Sequence, residues 1–505
     1  MAKGDLPVLI GVGQAMSQWD GKNGPAGFPS PLSLMADASK AAFADTGAAG
    51  IAAAIDAVAV VRIFEDSVPG DRHPHGHNTN LPGTLARETG ANPRHLVYES
   101  VGGQSPQALV NEFAGRIHAG EFEAVLISGS EANRASKGAR RNGVDINWAD
   151  GDDRAFEDRG MGPMLLSRPE IKHGLVTPAY FYGLFENAIA AREGRTRSGQ
   201  RRAMAELFQP FSAVAARNPY AQFPQEHSVE FLSTPSRENY EYADPFLKWF
   251  IAQDAVNQGA AAILVSSSKA DALGVPEDKR VYLHGGGDSG DDHISVRPVL
   301  DRSWAMDAAV SRALQQAGKS AAEMKHLDLY SCFPCAVFSG AAALGIDPRT
   351  DKRALTLTGG LPFFGGPGNN YSLHGIAEMA AALRKNRGDF GLVLANGGWM
   401  TKESAGVYSS NAPASFTPVE PAAKPKEQVT LAAENCDATL ETFTVTHGKD
   451  GPERGIIFAR LADGRRIIAN NAGAAELAVL REEASPVGRK VTVTVEEENG
   501  TFVFA

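Results

Sequence analysis

Gly120-Glu-Phe-Glu-Ala-Val-Leu-Ile-Ser-Gly129 recurs further along the chain as Gly388-Asp-Phe-Gly-Leu-Val-Leu-Ala-Asn-Gly397. In both, Gly-acid-Phe leads into an apolar run of strand length that ends in Gly. A helix-like stretch precedes each copy, Ser105 to Ala119 and Tyr371 to Lys385, so helix, Gly turn and buried strand occur twice. Upstream the match continues. Met35 to Gly47 and Met306 to Gly318 are Ala-rich helical segments closed by Gly, each followed by a β-branched run, Ile55 to Ile63 and His326 to Tyr330. Helices alternating with short buried strands predict an α/β fold with mostly parallel strands. Repetition of the whole unit predicts two similar halves packed about a pseudo-symmetric contact, residues 1–265 and 266–411.

Two segments stand outside the repeat. Residues 131–253 are rich in Arg, Asn, Pro and aromatics and have no counterpart, which predicts an inserted loop subdomain. Within it, Lys172-His-Gly-Leu-Val-Thr-Pro-Ala-Tyr-Phe-Tyr182 is apolar enough to pack over a cleft, as substrate contact or as simple packing. After Val407, residues 412–426 form a Pro/Ala/Lys linker. The tail, 427–505, then alternates: Ala438 to Thr446, Arg454 to Leu461, Arg466 to Ala469 and Lys490 to Val495 read as short strands, with a helix near Ala474 to Glu483. This pattern predicts a small β-barrel resembling the oligonucleotide/oligosaccharide-binding fold.

The totals limit the function classes. A chain of 505 residues, 43% hydrophobic and 21% charged, is an ordinary globular composition with room for two or three domains. A net charge of −10 argues against a nucleic-acid partner. No run approaches 18 apolar residues, so membrane insertion is not expected. Three cysteines, Cys332, Cys335 and Cys436, are too few for a disulfide framework and fit a reducing, cytoplasmic location. The Cys332/Cys335 pair lacks the second pair that a zinc site needs. Asp71-Arg-His-Pro-His-Gly-His77 places His73, His75 and His77 in a Pro/Gly loop, readable as a solvated loop or as metal ligands; the solvated loop is the default, and no metal is expected.

The duplicated body, the helix opening at Gly103-Gln-Ser-Pro-Gln and the Gly-rich segments of the second half resemble the thiolase superfamily over about residues 5–410. The resemblance implies a layered α/β/α/β/α body. With the extra C-terminal domain, it points to the thiolase-like proteins called type 1, often labelled acetyl-CoA acetyltransferases. It also shows what has been lost. The family's nucleophilic cysteine falls at Gly103, its activating Asn or His at Tyr330, the His of its Gly-His-Pro at Gly366, and its second cysteine at Ala395. Glycine and alanine neither carry protons nor form thioesters, so the ordinary two-step reaction is excluded at these positions.

What remains is the cradle. The resemblance implies an oxyanion site formed by the backbone at Gly103, Gly397 and Gly398. Four side chains are candidates for proton or nucleophile work: His374, a replacement base or a packed core histidine; Tyr330, a donor to a substrate oxygen; Cys332, a thiol or a small buried hydrophobe; and Ser105, a nucleophile or a helix cap. The expected activity is acyl transfer on a CoA thioester or β-keto compound, CoA or acyl-CoA being substrate and no cofactor being held permanently. The alternative is a non-catalytic acyl-CoA or lipid binder whose C-terminal domain docks a partner. The resemblance also implies a homodimer.

Overall fold

A computed structural model describes residues 5–67, 73–425 and 427–505. Ten strands form one mixed sheet. At its centre Pro7–Met16 meets Val281–Gly290, through only two residue pairs, Val8 with Tyr282 and Leu9 with Val281. Outward on one side follow Gln258–Ser266, Ala124–Glu131, Ala57–Val60, His95–Tyr98 and Glu157–Asp158; on the other follow Lys402–Ser409, Phe390–Gly397 and Met324–Leu329. The two series use the same pairing pattern. In each the strand next to the centre is antiparallel to both neighbours, and those beyond run parallel. Where the first half has His95–Tyr98, the second has an irregular stretch of chain, touched through Leu329 N–H donating to Leu355 O at 2.9 Å.

The period of two along each strand sorts its side chains into different cores. Val125 and Ile127 face the helices Ser105–His118 and Tyr371–Lys385 at the centre of the body, together with Val393 of the second copy. Ala124 and Leu126 face outward to Pro31–Asp45, and Leu392 and Leu394 face outward in the second half. Outer helix, sheet half, central helices, sheet half and outer helix make the five layers that the resemblance implied. The repeat extends to contacts invisible as a motif. A Cβ on Gly11 or Gly13 would lie 2.4 or 2.0 Å from the carbonyl oxygens of Ala42 and Ala38, and one on Gly285 or Gly287 would lie 2.3 or 2.0 Å from those of Ala313 and Ala309. In both halves the first strand lacks side chains where the outer helix presses its backbone on the sheet.

The insertion carries the helices Asn133–Asn142, Arg168–Lys172, Pro178–Arg192, Arg197–Ala215 and Val229–Ser233, joined by loops. Its aromatics Phe181, Tyr182, Phe185, Phe208 and Phe211 are core residues that pack against the second half of the body. Pro178–Arg192 is buried on nearly every side, and it buries an acid, Glu186. Burial raises the Glu186 carboxyl to about 7, opposed by its contacts with Gln200 and Cys335. An acid raised in the folded state stabilises fully below its unfolded value and loses that contribution as pH rises through the folded one. Glu186→Gln is therefore expected to be more stable than the parent at pH 8 by about 1–3 kcal/mol, with no difference near pH 4, in denaturant melts at the two pH values.

Beyond the linker, five strands return on themselves. Cys436–Gly448 pairs with Gly451–Arg460, then come Arg466–Asn471, Asn499–Phe504 and Lys490–Glu496, which pairs back with Cys436–Gly448; Ala474–Leu480 is the helix between the third and fourth strands in sequence. The seam between Arg466–Asn471 and Asn499–Phe504 holds two residue pairs, so this is a barrel-like sheet that is not sealed. The final strand, Asn499–Phe504, is not among the strands expected from the sequence. This unit is tied to the rest of the chain. Glu241–Asp244 of the insertion adds to its sheet beside Cys436–Gly448, and the fully buried Arg466 pairs with Glu441 while donating to the carbonyls of Ser295 and Arg297 at 2.8 Å. The linker is also laid on the body, Ala422 N–H donating to Asp288 O at 2.8 Å.

Candidate functional site

The two central helices and the ends of two strands converge on Gly103. The preceding glycine, Gly102, has φ +155° and donates its N–H to Asn369 Oδ1 at 3.1 Å. Ser372 on the facing helix donates its hydroxyl to Gly103 O at 2.9 Å. A Cβ on Gly103 would lie 2.3 Å from the Tyr330 hydroxyl and 2.5 Å from Asn396 O. The room that a cysteine side chain would need here is thus held by a tyrosine and a strand end. Gly397 lies on the same spot: its Cβ position is 3.1 Å from Gly103 N and 1.9 Å from the carboxamide oxygen of Gln104, a buried atom without a hydrogen-bond partner.

Around this point lie polar side chains that are neutral at pH 7. Asn396 donates to the Tyr182 hydroxyl at 2.9 Å and to Cys332 Sγ at 3.7 Å, and Tyr182 in turn donates to Gly398 O at 3.0 Å. Burial pushes the Cys332 thiol up to about 12, and holds the Tyr182 and Tyr330 hydroxyls well above the usual phenol range. Directly across the sheet from Asn396 stands Glu403, buried, with both carboxyl oxygens lacking a hydrogen-bond partner. Burial raises its carboxyl well above the ordinary range despite the nearby Arg297 guanidinium. Burial disfavours the charged form of such a carboxyl, and a protonated carboxylic acid is a hydrogen-bond donor.

The structure brings Gly103, Tyr330, Cys332, Gly397 and Gly398 together; Ser105 and His374 face elsewhere. Ser105 does not cap its helix: it is the first helical residue, Gln104 occupies the cap position, and the Ser105 hydroxyl donates to Ser100 O at 3.0 Å. His374 is two residues past Ser372, and at 100° per residue it points away from Gly103. It bonds through Nδ1 to Gln14 at 2.7 Å, in a chain that continues to Glu378 and Asn218. Burial depresses this imidazole to about 3, so it is neutral. Gly366 donates its N–H to Gln253 O at 2.9 Å beside Ala252 and Leu361. Ala395 is buried opposite Ser404. Cys332 and Cys335 are both free buried thiols.

The histidine loop divides. His75 is buried against Trp148 and Ser136, while His73 and His77 stack on each other beside Asp66. Asp71 and Arg72 lie outside the described residues. No described helix is long and apolar enough to cross a membrane.

The tail matches the family model described as thiolase-like protein type 1 additional C-terminal domain, over residues 418–498. A solved structure of a monomeric SCP2-thiolase-like protein type 1 from Mycobacterium smegmatis is 38% identical, with 100% of each chain covered and a TM-score of 0.83. The chain belongs to the family of thiolase-like proteins type 1. An acetyl-CoA acetyltransferase from Syntrophomonas wolfei shares the fold at 16% identity, covering 81% of this chain and 100% of its own, TM-score 0.57. So does an aldolase described as Ltp2-ChsH2(DUF35), at 18% identity, covering 80% and 97%, TM-score 0.58. No curated protein sequence matches.

As a thiolase-like protein type 1, the chain sets tyrosines, an amide and a buried acid around Gly103 and the strand ends beside it. Three members of that set, Tyr182, Asn396 and Glu403, are not singled out by the sequence. Asn396 lies inside the repeated motif itself, in the position of Ser128. Glu403 reads only as one acid in Thr401-Lys-Glu-Ser, and nothing in that run marks it as buried.

Proposed function

We propose that this protein acts on a CoA thioester or β-keto compound by polarising the carbonyl, without an acyl-enzyme. The observation behind this reading is the set of neutral donors about Gly103, where the resemblance places the family's cysteine: the Tyr330 hydroxyl at that point, with the Asn396–Tyr182 hydrogen bond nearby. Such donors match negative charge developing on a carbonyl or enolate oxygen, and in a buried site that stabilisation is often the largest catalytic contribution. They do not match nucleophilic attack, because a thiol near 12 is unionised at neutral pH. A bound thioester carbonyl would accept a hydrogen bond from Tyr330 while the acceptor attacks it directly; the new bond to the carbonyl carbon forms as the carbon–sulfur bond breaks, and CoA leaves as the thiol with the acceptor's proton. The Mycobacterium smegmatis relative's description as monomeric favours a single-chain unit over the homodimer implied by resemblance.

Incubation with a panel of acyl-CoAs is expected to give turnover with no acyl adduct in intact-protein mass spectra. Tyr330→Phe should lower kcat by about 10²-fold or more, as loss of one oxyanion donor does. A stable adduct on any residue overturns the reading. A second reading, non-catalytic binding of acyl-CoA or lipid, draws on the close approach of Tyr330 and Asn396 O to Gly103; tight binding with no turnover across the panel would establish it instead.

A further inference from the structure

Asp66, His73 and His77 come together at the surface of the first half, remote in role from the Gly103 site. Asp66 lies in the turn Glu65–Ser67, just past the strand Ala57–Val60, and the two histidines flank the turn at Pro74 and His75. One carboxylate oxygen, Asp66 Oδ1, is 3.4 Å from His73 Nε2 and 3.3 Å from His77 Nε2. One ligand atom from each of the three residues lies within 4.8 Å of the others.

We propose that Asp66, His73 and His77 form a binding site for a zinc-class divalent transition-metal ion. The spacing is that of a shared ion. Ligands at about 2.0–2.2 Å in tetrahedral geometry stand about 3.3–3.5 Å apart, which both Asp66-to-histidine distances meet. Those distances exceed the usual 2.7–3.2 Å of a hydrogen bond from a ring N–H. The surroundings are those of a metal ligand set. His73 turns its other nitrogen, Nδ1, toward Glu65 at 3.7 Å, and the Tyr98 hydroxyl donates to the second Asp66 oxygen at 2.5 Å. A carboxylate behind a ligating imidazole and a donor behind a ligating carboxylate fix ring orientation and tautomer. Two imidazoles and one carboxylate suit zinc and its neighbours rather than calcium or magnesium, and three protein ligands leave a position for water or another ligand.

The ion would brace a turn that reaches the Gly103 site. Ser67, beside Asp66, accepts from Asn369 Nδ2 at 3.2 Å, and Asn369 Oδ1 receives the N–H of Gly102 at 3.1 Å. Full-length protein stripped with a chelator and dialysed is expected to take up one Zn²⁺ per chain in calorimetric titration, with a raised melting temperature. His77→Ala, at an exposed side chain, and the near-isosteric Asp66→Asn should each weaken Zn²⁺ binding by about 10-fold or more and abolish the thermal shift, while His118→Ala leaves both unchanged. Stripped wild-type protein that binds no Zn²⁺, or binding that survives both triad substitutions in folded protein, overturns the proposal.

Discussion

Asp244→Ala is expected to destabilise the protein by about 3–5 kcal/mol, the usual cost of removing one partner from a buried ion pair, and to loosen the C-terminal unit before the body. Asp244 is buried and receives Arg197 at 2.5 Å, Arg201 at 3.3 Å, Arg481 at 3.0 Å and His447 at 3.5 Å. Arg197 and Arg201 belong to the insertion, Arg481 and His447 to the tail, and Asp244 itself sits on the strand where the insertion joins the tail's sheet. Without the carboxylate, three guanidiniums face each other with Glu241 as their remaining anion. Burial alone would raise the Asp244 pKa, but the hydrogen bond with His447 and the charges of Arg197 and Arg201 outweigh it and hold the carboxyl well below the ordinary range. A depressed carboxyl contributes stability above its unfolded value, 3.8, and loses it as pH falls toward the folded one. The gap between parent and variant should therefore be full at pH 7 and shrink below about pH 4. Denaturant melts across pH measure the gap, and limited proteolysis in the linker reports the loosened domain. A variant within about 0.5 kcal/mol of the parent at pH 7 would show that the cluster does not hold the domains together.

Gly103→Cys, which restores the residue the wider family uses, is expected to cost about 1–3 kcal/mol rather than to restore thiolase chemistry. The new side chain would meet the Tyr330 hydroxyl at 2.3 Å and Asn396 O at 2.5 Å, the second of which is backbone and cannot swing aside. Its thiol would also lack a base, since Gly366 and Ala395 carry no titratable group and His374 faces Gln14. Removing the closest atom should relieve part of the clash, so Gly103→Cys with Tyr330→Phe is expected to be more stable than the summed single effects by about 1 kcal/mol. Thermal melts of the four-protein cycle test the packing. Intact-mass spectra after acyl-CoA exposure should stay free of adduct; rapid acylation of the Gly103→Cys protein at unchanged stability would overturn this account.

Much of the fold is legible in one sequence because its two halves repeat. Phe122 and Phe390 mark the same position, and the odd-numbered residues that follow, Val125 and Val393, turn to the same central helices. Helix and strand bounds agree within a few residues because the runs are long and their periods clear. The insertion reads as loop because its Pro, Gly and Arg content hides helices whose aromatics are buried by tertiary contact; the nearly all-round burial of Pro178–Arg192 leaves no one-sided stripe to read. The last strand, Asn499–Phe504, follows a Glu497-Glu498 turn with positive φ at both residues, while the Asn-Gly pair that would signal a turn, Asn499-Gly500, lies inside the strand.

By itself the sequence determined the doubled α/β body and the added tail, because repeats and turns are properties of residue order; the missing reactive groups are what the resemblance implies. Only the tertiary structure decided which groups took their place. Tyr182 arrives from the insertion, Tyr330 and Asn396 from neighbouring strand ends, and Glu403 from the strand beyond, and none is adjacent in the chain to Gly103. Their neutrality is likewise a product of burial, which raises an acid or a phenol only once the surrounding layers have closed over it.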